Sequence, residues 1–549
     1  MKKHFLSLVF ILALSIYGLK ALIHTGLFTA HDIGHQVARI YYYHQAFHEG
    51  QIPPYWVGKL ANGYGYPLFV FSYHLPWLVG LPLLELGLSI DNTIKLLFFL
   101  SYFGSGISIY FLANSIFKNR LSGLSSATLY LFTPYHFLTI FVGASMGVVW
   151  TFTFLPLILL GLKVLSERRV KLGILLTAVG LAGCILSHLI SVLLLIPFLI
   201  SFIIWLVINY PGEKFSDRQM FLLYIFISFF LGGLISAFYL IPALYYSLDI
   251  FGKSSQGFSE LYLRNFVNLS QLIYSKWGFG PIINNAKEGA ISFQIGIIHW
   301  LSLIGSIILI FTKKIPKNLK ILVFLLILNF ALSIFLMIDL SKNVWVVFEK
   351  LFILDYPFRL LLLTSFIGSL LGGLITFSIS KKYRIFVLAI LLLTSLYVNR
   401  NHTNVNLYTD YPLSFYLNSD ITTNTFNEYL PKDAESKLLK IPHQVIEPNN
   451  LKVSNFYQDL NKMTFQLKTE QKTNLSIGQF YFPGQTLYID NHQYNYLVDK
   501  TGRIAFSNYL GNHQVKVSFN ETLVIKLSKI LTIFAILTLA FLLISGAFL

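Results

Sequence analysis

The sequence predicts a polytopic α-helical membrane protein with a C-terminal β-sandwich-like domain outside the membrane. Three observations predict it. Only 12% of the 549 residues are charged and 55% are hydrophobic, against about 25% charged in a soluble protein. Apolar runs of about 20 residues recur along the chain, each able to cross a hydrocarbon core of roughly 30 Å. Residues 400–523 break that pattern: they are polar, rich in Asn, Thr and Lys, and alternate apolar with polar residues.

Composition also excludes whole classes. The net charge is +17, but the basic residues sit in short loops between apolar spans, which argues against nucleic-acid binding. The single cysteine, Cys184, lies inside an apolar span. That rules out an intrachain disulfide, a zinc finger and thiol redox chemistry.

The first apolar segment follows Lys2 and Lys3 and runs to residue 23. It is longer than a signal-peptide core and no small-residue cleavage site follows, so it is expected to stay as the first helix. The basic clusters Lys118/Arg120, Arg168/Arg169/Lys171, Lys214/Arg218, Lys313/Lys314/Lys317/Lys320 and Lys381/Lys382/Arg384 then set the topology. Placing all of them with the N-terminus in the cytoplasm gives about twelve spans. They are 4–23, 92–117, 121–138, 147–166, 170–188, 189–209, 219–242, 294–312, 320–339, 358–379, 384–399 and 524–546, with both termini cytoplasmic. Residues 68–90 are apolar enough to span, but spanning would put two basic clusters outside. The segment also carries His74, Pro76, Pro82 and Glu85. It is read as dipping into the outer interface, so 24–91 is one long external excursion of a membrane domain covering 1–399.

In residues 400–523, "MTFQLKT", "LSIGQFYF", "TLYIDN", "GRIAFS" and "HQVKVSF" show period-two alternation with Gly, Pro and Asn at the breaks. Such stretches are short strands. The topology puts them outside the membrane, and the last helix, within 524–549, tethers their far end.

The residues able to carry chemistry gather on the outer side. "HDIGH", residues 31–35, follows the first span and places Asp32 near the start of an interfacial helix expected over 36–49. An acid near lipid marks a site; an N-cap aspartate accounts for the same residue on structural grounds. His31/His35 and His44/His48 are i, i+4 pairs, a spacing that can hold a metal. They equally suit the polar tips of an interfacial aromatic belt. Mg²⁺ or Mn²⁺ held by Asp32 together with a substrate phosphate needs fewer protein ligands. "LDYPFR" places Asp355 and Arg359 where an external loop enters a span. Arg359 reads either as a phosphate-binding guanidinium or as a snorkelling side chain, with Asp355 as its alternative partner. His74, Tyr135 and His136 of "TPYHF", His188 of "LSHLIS" and Glu428 of "NEYLP" complete the outward-facing polar set.

This layout resembles the GT-C superfamily of membrane glycosyltransferases. More narrowly, it resembles bacterial YfhO-like proteins and the relatives catalogued as "6-pyruvoyl-tetrahydropterin synthase-related" membrane proteins. The resemblance rests on "HD" at 31–32, "YGYPLFVFSYHLPW" at 64–77, "YLFTPYHF" at 130–137, "YPFR" at 356–359, "NEYLP" at 427–431 and the strand region 481–522. It implies transfer of a sugar from a polyprenyl-phosphate donor to an extracytoplasmic glycan or lipid acceptor, with Asp32 as the catalytic or metal-linked carboxylate. Many relatives carry an Arg-Gly pair and a Glu after the PY motif. Here "TIFVGASMGVVW" at 139–150 has no charge, which argues against a two-carboxylate metal site.

The expected chemistry is an inverting displacement with Asp32 as base and Arg359 on the leaving phosphate. His31, His35, His74, Tyr135, His136, His188, Asp355 and Glu428 are the remaining substrate-binding candidates. A lipid-linked glycan flippase and a non-catalytic scaffold or glycan-binding protein are the competing classes. A flippase needs polar or broken helices at the bilayer midplane, whereas spans such as 320–339 are nearly free of central charge. Convergence of Asp32, Arg359 and Glu428 on one cavity beneath the β-domain separates the enzyme from the scaffold.

Overall fold

The computed structural model describes residues 2–211, 214–252, 261–281, 286–288, 290–349, 356–417, 427–448, 451–507 and 510–544. It is a helical membrane body with a β-sheet region near the C-terminal end. Among the described residues, eight helices are long and apolar enough to cross a bilayer.

In chain order the helices begin with α1 (Phe5–Gly18), α2 (Ile33–His48), α3 (Leu68–Phe71), α4 (Leu75–Glu85), α5 (Ile90–Phe117), α6 (Arg120–Leu131) and α7 (Pro134–Phe137). They continue with α8 (Met146–Ser166), α9 (Val170–Ser187), α10 (Leu189–Ile208), α11 (Phe215–Ile235), α12 (Ala237–Tyr245), α13 (Leu269–Ile273) and α14 (Ile297–Ile310). The last are α15 (Lys317–Met337), α16 (Lys342–Glu349), α17 (Leu361–Ser378), α18 (Arg384–Val398), α19 (Leu413–Leu417) and α20 (Leu523–Ile544).

Two breaks matter for the site. The expected span 121–138 stops at Leu131, because Pro134 drives Thr133 into extended backbone (φ −77°, ψ 139°). The chain then re-enters through α7 and a π-helix, Leu138–Val142. Residues 68–90 form α3 and α4, separated by extended Ser72, rather than one continuous helix.

The expected interfacial helix 36–49 is also corrected. Helix α2 starts at Ile33, and most of it is buried, Gln36, Val37, Ala38, Ile40, Tyr42 and Tyr43 included. It is no free surface helix, because α4, α5 and α19 pack around it.

The ends of the helices differ. At one end the basic loops meet: Lys118 pairs with Glu167 at 2.5 Å, Arg168 with Asp217 at 3.6 Å, and Arg120 Nη1 donates to the Lys3 carbonyl at 2.6 Å. At the other end lies the long excursion. Its start is fixed by strand β1 (Leu27–Phe28), which pairs antiparallel with β2 (Tyr408–Thr409). Gly26 turns into this pair at φ +68°, where a Cβ would lie 2.4 Å from the Thr409 carbonyl oxygen. Lys95 of α5 donates to the carbonyls of His24 and Gly26 at 2.9 and 3.1 Å, so this buried cation is answered by backbone oxygens.

The sheet region is a two-layer sandwich. Its strands are β3 (Ile446–Glu447), β4 (Lys452–Gln458), β5 (Lys462–Thr469), β6 (Asn474–Phe480), β7 (Gln485–Ile489), β8 (His492–Tyr494), β9 (Leu497–Val498), β10 (Arg503–Ser507) and β11 (Gly511–Phe519). One sheet has the order β4-β5-β11-β7-β8 and the other β3-β6-β10-β9. Met463, Phe465, Leu467, Leu487, Val515 and Val517 of the first face Leu475, Ile477, Ile504 and Phe506 of the second. The sandwich rests on residues 49–66: Leu460 N–H donates to Glu49 at 2.9 Å, Phe480 N–H to the Tyr64 carbonyl at 2.8 Å, and Trp56 stacks on Phe482 and Phe519.

Candidate active site

Asp32 stands at the N-cap of α2, as a structural aspartate would, but its carboxylate makes no capping bond. The capping bond in place is to its backbone: the Asp32 carbonyl accepts from Gln36 N–H at 3.0 Å. The carboxylate is left to face a cleft of about 110 Å³.

The cleft is built from four segments. His31 and Asp32 supply one wall. The π-helix and the turn after it supply Leu138, Thr139, Val142, Gly143 and Ser145, with Tyr135 ahead of them and Val148 behind. Tyr356, Phe358 and Arg359 close the far side, and Ile291 the edge. The first two segments are zipped together: His31 N–H donates to the Val142 carbonyl at 2.9 Å and Asp32 N–H to Gly143 at 3.0 Å. The wide π turn re-aims side chains that a regular helix would direct elsewhere. His31 Nε2 donates to the Gly280 carbonyl at 2.8 Å, which fixes its tautomer and ties the loop beside Ile291 to the site.

Arg359 lies in a 3₁₀ turn, Pro357–Leu360, ahead of α17. Its guanidinium packs over the Tyr356 ring at 5.3 Å, and Nη1 donates to His188 Nε2 at 2.5 Å. His188 Nδ1 is 2.9 Å from Ser191 Oγ. Ser191 N–H also donates to Nδ1 at 3.2 Å, so the same ring caps the start of α10. Arg359 is thus held inward on the cleft by an imidazole rather than snorkelling to water.

Burial pushes the Asp32 carboxyl above the ordinary carboxylate range, against the opposing charges of Arg39, His31 and Arg359. Arg39 was not singled out from the sequence. It is the only arginine or lysine of α2 and lies seven residues, two helical turns, from Asp32. That period was the available signal. Arg39 Nη1 donates to Tyr73 Oη at 3.3 Å, Tyr73 donates to Gln36 Oε1 at 2.9 Å, and Gln36 Nε2 donates to the Ala144 carbonyl at 2.8 Å. This chain runs from α2 through the outer segment to the turn beneath the cleft.

The sequence candidates therefore divide. Asp32, His31, Tyr135 and Arg359 line one cleft, and His188 stands behind Arg359. Four others do not line it. His74 is enclosed, accepting from Tyr43 Oη at 2.9 Å and donating to the Phe69 carbonyl at 2.7 Å, and burial lowers its pKa to about 3. His136 is stacked on Phe152 at 4.0 Å. His35 is buried, its pKa lowered to about 3 by burial and by Arg39; imidazoles this enclosed are packing elements. Glu428 sits off the cleft, its charge acting on Tyr66 and its carbonyl accepting from Gly252 N–H at 2.8 Å. Asp355 lies outside the described residues. No described residue of 400–523 lines the cleft, because the sandwich sits over 49–66 instead, so of the expected convergence beneath the β-domain only Asp32 and Arg359 meet and Glu428 does not join them.

The residues present do not fit a protein-held Mg²⁺ or Mn²⁺. Among the described lining residues Asp32 is the one carboxylate, and Arg359 brings a fixed positive charge to the same space. The pair His31/His35 is not drawn together either. Among the described residues, the group of three that could hold an ion is His44, His48 and Glu85, elsewhere on the molecule.

No family model matches the chain. It is 24% identical over 251 residues to an uncharacterised protein of Lactococcus lactis subsp. cremoris (strain MG1363), covering 45% of this chain and 40% of that one. Among solved structures it is similar to the arabinofuranosyltransferase AftD from Mycobacteria, with TM-score 0.44 and 14% identity over 77% of this chain. A mutant of the same protein gives TM-score 0.44 and 16% identity over 72% of this chain. The chain spans well under half the length of each: 40% of the lactococcal protein and 27% of the AftD chains. At these values, function has to be argued from the site.

Proposed function

We propose that this chain is a membrane glycosyltransferase of GT-C type, moving a sugar from a polyprenyl-phosphate donor to an extracytoplasmic glycan or lipid acceptor. The observation that carries the reading is a half-buried carboxylate, free of capping duty, sharing one cleft with a guanidinium. The positive-inside rule assigns the basic-loop end to the cytoplasm, which puts the cleft at the outer face, where lipid-linked donors present their sugars.

The chemistry is a single displacement. The acceptor hydroxyl gives its proton to Asp32 as its oxygen bonds to the anomeric carbon. The bond from that carbon to the phosphate oxygen breaks, and its electron pair leaves with the lipid phosphate. Inversion at the anomeric centre follows. A raised carboxyl pKa strengthens Asp32 as a base. Arg359, oriented by His188, meets the charge that grows on the leaving phosphate. Leu138, Val142, Val148 and Phe358 give the lipid phosphate an apolar approach.

The test compares envelope glycans of a null strain, its parent and a strain carrying Asp32→Asn. The expected result is one glycan lost in the null and equally lost in Asp32→Asn, with the variant protein inserted at wild-type level. Glycans identical in null and parent overturn the transferase reading; a glycan retained in Asp32→Asn removes Asp32 from the chemistry.

A further inference from the structure

The excursion holds a second cluster that the transfer reading leaves unused. Helices α2 and α4 end at the same spot, and their last turns present His44, His48 and Glu85 to one another. His44 Nε2 and His48 Nε2 each lie 2.9 Å from Glu85 Oε1, and 3.1 Å from each other.

Around an ionised Glu85, protons alone cannot satisfy this triangle. If both imidazoles donate from Nε2 to the carboxylate, two N–H groups confront each other across 3.1 Å. If one Nε2 accepts from the other, its lone pair faces the carboxylate oxygen at 2.9 Å. With Glu85 ionised, every assignment leaves one repulsive edge. A cation in the middle makes all three contacts attractive. The spacing also suits one: ligands about 2.0–2.1 Å from a tetrahedral metal stand about 3.3 Å apart. The C-terminal ends of both helices add negative dipole ends at the same place. The side chains are 24%, 52% and 47% exposed, so an ion reaches them from water and a water molecule can complete the shell.

We propose that His44, His48 and Glu85 form a binding site for one divalent ion of the zinc class, clamping the end of α2 to the end of α4. Two imidazoles and one carboxylate select such an ion over Mg²⁺ or Ca²⁺, which require oxygen ligands. This inference is independent of the transferase reading.

The test uses full-length protein in detergent, stripped with EDTA and titrated with Zn²⁺ by calorimetry. Wild type should bind one equivalent, with Mg²⁺ in excess failing to compete. His44→Ala, His48→Ala and Glu85→Gln should each weaken binding by at least about tenfold, while His492→Ala, on an exposed strand, leaves it unchanged. Zn²⁺ should raise the Tm of wild type and not of the His44→Ala/His48→Ala double variant. Co²⁺ should give a visible ligand-field band in wild type alone. Wild type taking up no more Zn²⁺ than the double variant overturns the proposal, as does full competition by Mg²⁺.

Discussion

The two ends of the helical body use charge in opposite ways. At the basic-loop end, Lys118–Glu167 and Arg168–Asp217 are open to water, with Lys118 68% and Arg168 58% exposed. Such pairs contribute about 0–1 kcal/mol and are exchangeable. At the cleft end, Asp32 is half-buried at the cleft wall and Arg359 is held by an imidazole at 2.5 Å. Nearby, Arg39 is tied through Tyr73 and Gln36 to the turn at Ala144. Charge at the first end needs only the right sign. At the second, each group is held in one position by named partners, the arrangement in which shifted pKa values arise.

Substitutions that exchange the roles of the two ends sharpen this contrast. The largest effect is expected for Asp32→Asn, which should lower sugar transfer about 10²–10⁴-fold, measured as single turnover on purified protein. Arg359→Ala should follow at about 10²–10³-fold, since it removes a donor aimed at developing charge. His188→Ala should cost less, about tenfold, because it orients Arg359 without touching the phosphate. Next comes pH: because burial raises the Asp32 pKa above 3.8, kcat/KM should climb with pH through that raised value and then level off. Asp32→Asn should abolish this dependence in its residual activity.

A smaller effect runs the other way. A carboxyl whose pKa is raised on folding destabilises the protein once pH exceeds the unfolded value, and the cost is complete above the folded value. Asp32→Asn should therefore raise Tm by about 1–2 °C at pH 7, and the gain should vanish below about pH 3.8. Smallest of all, Lys118→Ala or Arg168→Ala should change stability by less than about 1 kcal/mol and leave transfer unaltered. A loss of transfer there, equal to that at Asp32, would erase the distinction between the ends.

Helix positions were legible because hydropathy over about 20 residues reports them directly: α8, α9, α10 and α15 fall within a few residues of the expected spans. The strands were legible from their period. Asp32 and Arg359 were legible because charges beside apolar spans stand out. Histidines were not sorted by the sequence, since His74, His136 and His188 look alike there. Only packing separates a ring stacked on Phe152 from one gripping a guanidinium. The π-helix at 138–142 was hidden as well. Its cause is local, Pro134 behind and the left-handed Ala144 (φ 47°) ahead, but its consequence depends on what packs against it. Glu85 gave no hint of His44 and His48, because their meeting depends on the angle between two helices.

The pairing of residues 27–29 with 407–409 also bears on how the protein is made. Thr29 meets Leu407 across a sequence separation of 378 residues, and His31 meets Gly280 across 249. The first loop leaves the ribosome early, yet its partners emerge only after most of the helices have been threaded into the bilayer. Throughout synthesis Asp32 therefore belongs to an unfinished surface, and the cleft is completed in one late step, when the far part of the polypeptide closes over the near one.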